Sequence, residues 1–209
     1  MRRLPFVLAA LSALSGLSAT GCGSGAVVLT HEEYSRLPHD YRLEVFDAEN
    51  DVVIARNREE EARDHKTAAE KTLSELEDGW KKTNTRLSAS GQAAKIPRAK
   101  QVFDANVDYI EAQIDVASAS IRRAEAETAV RRAQLELVRQ RQAARIGRAA
   151  VGSIKRFEDR ITALENKLKS ATATEVEQRT KVQGKLNAWK VAEDAYATAT
   201  NDYDTGVWE

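Results

Sequence analysis

Residues 84–107 read NTRLSASGQAAKIPRAKQVFDANV, and this stretch decides the fold. On either side of it apolar residues recur three and four apart, the period of an amphipathic helix. Between them, Ser88 to Pro97 with Gly91 inside it interrupts the pattern, and glycine and proline are the strongest local punctuators of a chain. A short connection between two long helices makes them antiparallel neighbours. The stretch therefore predicts the tip of a helical hairpin.

Working outward, the first helix is expected over about residues 40–88, with Leu43, Phe46, Ile54, Ala62, Ala69, Leu73, Leu76, Trp80 and Leu87 near one stripe. The second, over about 98–146, carries a heptad-like seam of Phe103, Val107, Ile110, Ile114, Ala117, Ile121, Ala124, Thr128, Leu135 and Val138. The pattern weakens around Gly147 and Gly152. It resumes over about 153–203 with Ile154, Phe157, Ile161, Leu164, Leu168, Val182, Leu186, Trp189 and Tyr196, either as a third helix or as a continuation of the second. The only prolines are Pro5, Pro38 and Pro97, so residues 98–209 form a proline-free run, and aromatics make up 6% of the chain. This is the profile of long helices rather than of a sheet or barrel. The expected fold is all-α, an elongated antiparallel hairpin or a three-helix bundle of coiled-coil-like helices spanning residues 40–204, with a short tail at 205–209.

Charge supports folding the second helix back on the first. Residues 122–148 hold eight arginines against three acids (Glu125, Glu127 and Glu136), whereas residues 39–65 hold nine acids against four arginines. A turn in the low nineties sets these complementary arms side by side. Exposed pairs are worth about 0–1 kcal/mol each, so the match chooses partner and register more than it adds stability.

The whole chain balances 32 basic against 32 acidic side chains, at pI ≈ 6.9. A neutral chain lacks the basic footprint that phosphate neutralisation requires, which argues against nucleic-acid binding. No HExxH, GxSxG, CxxC, Walker A or EF-hand pattern occurs. Asp204, Thr205 and Gly206 spell the aspartic-protease triplet once, where the chemistry needs two copies on a β scaffold. His31, His39 and His65 have no metal-ligand spacing. A long charged rod with alanine-rich seams offers no deep pocket, so no catalytic residue, metal or cofactor is expected.

The amino terminus carries a targeting signal. Arg2 and Arg3 precede an apolar stretch from Leu4 to Leu17, too short to span a bilayer comfortably. Ala19, Thr20, Gly21 and Cys22 then resemble the lipobox of bacterial lipoproteins, with Ala19 where leucine is usual. Cys22 is the only cysteine and has no internal disulfide partner. The resemblance implies a signal peptide at 1–21, a lipidated Cys22 at the head of a tether over 22–39, and, from Gly23 and Ser24, placement on the periplasmic face of the outer membrane. Within the tether, Thr30 and Glu33 form a capping box that starts a short helix ended by Pro38.

Residues 86–91, leading into the helix with Asp104, Tyr109, Ala112 and Ala124, are similar in texture to the hairpins of periplasmic efflux adaptors and the helical barrel of TolC-type ducts. The similarity covers about residues 60–145. Together these features lead to the expectation of a non-enzymatic lipoprotein, held to the membrane through Cys22, whose rod binds or spaces an envelope protein partner. The alternative is an accessory subunit of an efflux, secretion or motility complex, docking through a tip of Arg86, Leu87, Ser90, Gly91 and Pro97. Oligomeric state stays open: a folded-back bundle satisfies its own seams, whereas an unbroken helix from 98 to about 200 needs partners.

Overall fold

The structure, a computed structural model, describes residues 28–148 and 154–201. The signal segment 1–21, Cys22, Gly152 and the tail 205–209 lie outside the described residues. Within them the chain is all-α: α1 (His31–Ser35), α2 (His39–Ala89), a 3-10 turn (Ala93–Lys95), α3 (Ile96–Arg145) and α4 (Ile154–Thr200). At 1.5 Å per residue, α3 is about 75 Å long.

Helix ends follow from local chemistry. Thr30 caps α1, its hydroxyl accepting from the Glu33 N–H while the Glu33 carboxylate accepts from the Thr30 N–H. Pro38 then occupies the N-cap of α2. Gly91 takes φ +71°, which lets the Gln92 N–H return to the Leu87 carbonyl at 3.0 Å and close α2. Gly147 repeats the device at φ +81°, with the Arg148 N–H on the Ala143 carbonyl at 3.0 Å. Side chains with a Cβ avoid this left-handed backbone by about 1–2 kcal/mol, so both glycines are turn-makers. The second of them settles the alternative left by periodicity: α3 ends at Arg145, and α4 is a separate helix running back along it.

The three long helices form one layer with α3 in the middle. α2 packs along one flank of α3 and α4 along the other, while α2 and α4 barely meet. The charge match places real pairs along the α2–α3 seam: Arg139 to Glu49 at 2.7 Å, Arg131 to Asp51 at 3.1 Å, Arg58 to Glu127 at 2.5 Å and Arg63 to Glu125 at 2.7 Å. The α3–α4 seam is registered by Lys185 to Asp108 at 2.6 Å and Arg160 to Glu136 at 2.6 Å. Both sets run antiparallel.

A central helix must bury two faces, and α3 does so largely with alanine: Ala99, Ala117, Ala119, Ala124, Ala133 and Ala143 are all buried. Small residues let helices approach closely, and Val102, Ile110, Val130 and Leu137 are buried on α3 beside them. Larger apolar groups gather near the two ends. Leu87, Val102 and Tyr196 pack with Trp80 and Trp189 near the tip, and Leu137, Phe157 and Ile161 pack near the base. Two stacked aromatic pairs, Trp80–Phe103 with centroids 5.1 Å apart and Tyr109–Trp189 at 5.4 Å, join α3 to each neighbour in the tip half.

One part of the expected stripe is corrected. In the first third of α2 the buried residues are Val45 (2% exposed), Val52 and Ala55, whereas Leu43, Phe46 and Ile54 are about half exposed. The reason is helix phase: the buried residues of α2 fall on two rows at multiples of seven, Val45, Val52 and Leu87 on one and Ala55, Ala62, Leu76 and Thr83 on the other, and Leu43, Phe46 and Ile54 lie off both. Ile114 on α3 is likewise only half-buried, and Ile110 is the buried isoleucine of that seam.

Candidate functional site: a groove over the central helix

Because α2 and α4 flank α3 without closing on each other, one face of the layer is concave. Toward the base, a groove of about 480 Å³ is lined by Arg58, Ala62, His65 and Ala69 of α2, by Gln113, Ala117, Ser120 and Arg123 of α3, and by Glu175 and Arg179 of α4. Toward the tip, a second hollow of about 570 Å³ lies between Thr72, Glu75, Asp78, Gly79 and Lys82 on α2 and Asn106 and Ile110 on α3. Both hollows lie against the same faces of α2 and α3. The face of α3 beneath them is a row at seven-residue spacing, Asn106, Gln113, Ser120, Glu127 and Gln134, every member polar. Residues seven apart stay on one side of a helix in coiled-coil packing.

Glu175 is the electrostatic centre of the groove. It is 5% exposed, the one buried residue of α4 between Ile161 and Tyr196. Its Oε1 accepts from Ser120 Oγ at 3.0 Å and from Arg179 Nε and Nη2 at 3.0 and 2.7 Å. Arg123 Nε lies 2.7 Å from Oε2, an ion-pair contact whose N–H is not aligned for a hydrogen bond. Burial pushes this carboxyl up. The Arg179 and Ser120 hydrogen bonds and the two guanidinium charges more than offset that, so it sits below the usual glutamate range. Glu175 is thus a fixed anion, already paired, which ties α4 to α3. On the opposite wall Arg58 reaches the buried Glu127, and His65 is exposed beside Glu61 at 3.8 Å.

The tip residues divide. Leu87 is 4% exposed and belongs to the aromatic core, while Arg86, Ser90, Gly91 and Pro97 are exposed around the turn. At the other end the leader is fastened to the base: Arg148 Nη1 donates to the Val28 carbonyl at 3.0 Å, Tyr34 Oη donates to the Arg42 carbonyl at 3.1 Å, and Leu37 is buried. Among the described residues no cluster of three His, Cys, Asp or Glu side chains could hold a metal ion. Among the same residues no helix is long and apolar enough to cross a membrane. Glu193 has its carboxyl pushed up, by burial first and then by Asp194, but it sits beside Trp189 and outside the groove lining.

Sequence periodicity did not single out Glu175, Arg123, Arg179, Gly79 or Asn106. The available signal was the polar heptad row on α3, which runs between its two apolar flanks.

No family model, no curated protein and no solved structure matches the chain at a significant level.

Proposed function

We propose that this chain is a lipid-anchored, non-enzymatic envelope protein: acyl chains on Cys22 hold its base at the periplasmic face of the outer membrane, and the three-helix rod reaches about 75 Å away to bind or space another envelope component. The observation that carries this reading is the polarity of the rod. The leader that follows Cys22 is fastened at one end, through Val28, Tyr34 and Leu37, and the Gly91 turn lies at the other. Val28 is the sixth residue after Cys22, so the base would stand within about 20 Å of the acylated cysteine.

A binding role rather than a catalytic one is favoured by the charge states in the groove. A general acid at neutral pH needs a raised pKa, and the buried carboxyl of Glu175 is lowered and occupied by Ser120, Arg123 and Arg179. A second reading, docking of the tip onto a larger efflux, secretion or motility assembly, is favoured by the exposure of Arg86, Ser90, Gly91 and Pro97 around a core-anchored Leu87.

Expression of the full chain with Cys22→Ser tests the anchor. The variant should leave the membrane fraction or remain an unprocessed precursor, and the intact mass should lose its acyl increment. Unchanged fractionation and mass would refute the lipid anchor. Arg86→Glu tests the second reading, since tip docking predicts loss of a co-purifying envelope partner and a plain spacer predicts none.

A further inference from the structure

Eight large apolar side chains are exposed among the described residues, and four of them, Leu43, Phe46, Val53 and Ile54, share one face of α2 near the base. The other four, Val28, Ile154, Val176 and Val191, are scattered over the leader and α4. Single exposed apolar residues need no explanation, but a contiguous stripe marks an interaction surface. This stripe has heptad order. Leu43, Asn50 and Asn57 recur every seven residues, Phe46 and Val53 form a second row three residues on, and Ile54 lies beside them. At about 100° per residue this face lies about 160° round α2 from the buried rows of Val45 and Ala55. Beyond Asn57 the same rows continue as Glu60, Asp64, Thr67 and Lys71, so the stripe is confined to about 21 Å at the base. Here α2 is patterned like a helix with two long neighbours, yet among the described residues only α3 packs along it.

The polar members of the stripe indicate what covers it. In a parallel pair of coiled helices each row faces its own copy, so Asn50 meets Asn50 and Asn57 meets Asn57, amide to amide. An antiparallel partner would set those amides against the apolar row of Phe46 and Val53 instead. The flanking charges agree. One edge of the stripe carries Arg42, Glu49 and Arg56, and the other carries Asp47, Ile54 and Glu61. A parallel pair sets each residue of the first edge opposite the residue five positions later on the second copy, which matches Arg42 with Asp47 and Arg56 with Glu61. An antiparallel pair faces each edge with itself, and its centred register opposes Arg42 to Arg56, Glu49 to Glu49 and Asp47 to Glu61, all like charges. The matching groups are not used up inside the chain. Arg42, Asp47 and Arg56 make no ion pair among the described residues, and Glu61 has only the exposed His65 beside it, at 3.8 Å.

We infer that the base third of α2 is a self-association surface: a second copy of this chain lays the same stripe against it, parallel and in register, about a two-fold axis along the rod. Each α2 is already held as a helix by α3, so pairing carries no helix-folding cost, and two heptads support association in the micromolar range. A lipid surface is a poorer match, because residues 39–65 around the stripe hold nine acids against four arginines. Parallel pairing leaves both bases at one end, the arrangement that two copies anchored to one membrane through Cys22 need. The inference goes beyond the anchor and does not require acylation, so the fractionation test and the association test fail separately.

The experiment is light scattering and sedimentation of the full chain with micelles in excess over protein, under reducing conditions so that Cys22 links no copies. The chain should pass from monomer to dimer with a dissociation constant of about 1–100 µM. Phe46→Glu should weaken the dimer by about tenfold or more while helical content by circular dichroism stays level, because the residue is exposed on the single chain. Arg56→Glu should weaken it by about tenfold, and adding Glu61→Arg should recover most of that loss, since the pair forms between copies. A chain that stays monomeric at about 300 µM overturns the proposal. So does a dimer that tolerates Phe46→Glu, and so does one strengthened by Arg56→Glu, the outcome of antiparallel pairing. Vesicles of phosphatidylethanolamine and phosphatidylglycerol give the last arm: if Phe46→Glu releases the chain from them and leaves its mass in micelles unchanged, the stripe belongs to a lipid surface and the proposal falls.

Discussion

Removing the Glu175 carboxylate probes the contact that locks α4 onto the layer. The residue is almost fully buried, accepts hydrogen bonds from Ser120 and Arg179, and faces Arg123 at 2.7 Å. Breaking a fully buried pair costs about 3–5 kcal/mol, because a stranded charge remains. Here the stranded partners can turn to water: the Arg179 side chain is 64% exposed and that of Arg123 35%. Exposed pairs are worth about 0–1 kcal/mol, so Glu175→Ala should fall between the two limits, at about 2–3 kcal/mol. For a chain of this size that lowers Tm by about 5–10 °C. Glu177→Ala, which removes an exposed i,i+4 partner of Lys181, should cost less than about 0.5 kcal/mol. The effect has a defined pH dependence. The folded carboxyl lies below its ordinary 4.5, so its contribution is complete above that value and disappears as pH falls through the lower folded one. Urea unfolding of both proteins by circular dichroism, at several pH values between about 3 and 8, should give a stability difference that is flat near neutrality and shrinks in acid. An equal cost for Glu175→Ala and Glu177→Ala, or a difference that grows in acid, would refute the assignment of Glu175 as the α3–α4 lock.

Three further outcomes follow from the same architecture. Ile110→Ala removes a buried side chain between α2 and α3 and should cost about 2–5 kcal/mol in chemical unfolding, against less than about 0.5 for exposed Arg132→Ala. Gly91→Ala forces a Cβ into φ +71° and should lose about 1–2 kcal/mol with no change in helical content, a loss that would be absent if the turn were not closed by a left-handed residue. Small-angle scattering of the full-length chain lacking its acyl group should show an elongated particle with a maximum dimension of at least about 75 Å, and a compact profile would contradict the single layer of helices.

The helices were legible in the sequence because their breaks are chemical. Gly91 with Pro97 marks one turn, and the Thr30–Glu33 box with Pro38 marks the leader. The acidic and basic arms even indicated the direction of α3, as Arg139–Glu49 and Arg131–Asp51 now record. Gly147 was harder, since an isolated glycine is tolerated in a helix and only its left-handed φ reveals a terminator. What periodicity missed was the phase of the seam at the start of α2. Leu43, Phe46 and Ile54 carry the stronger hydrophobic signal, but Val45, Val52 and Ala55 lie on the seven-residue rows that the rest of α2 buries. Hydrophobicity ranks side chains by transfer energy, whereas a coiled-coil seam selects them by their phase on the helix.

The same reasoning explains why the groove escaped notice. A central helix buries two flanks, so its apolar residues spread around it, and what stays distinctive is the polar row between them. Taken alone, Asn106, Gln113, Ser120, Glu127 and Gln134 read as the solvated face of a charged rod. The layer gives them another meaning, because α2 and α4 rise on either side and turn that face into a floor. Glu127 and Ser120 are then used by the chain itself, through Arg58 and Glu175. Asn106 Oδ1 is buried without a partner, as are Thr128 Oγ1 and both amide atoms of Gln140 on the same helix. Glu127 and Ser120 thus hold the flanking helices to α3 instead of facing water, which is why a polar row inside an antiparallel layer cannot be told from a solvated face by residue type alone.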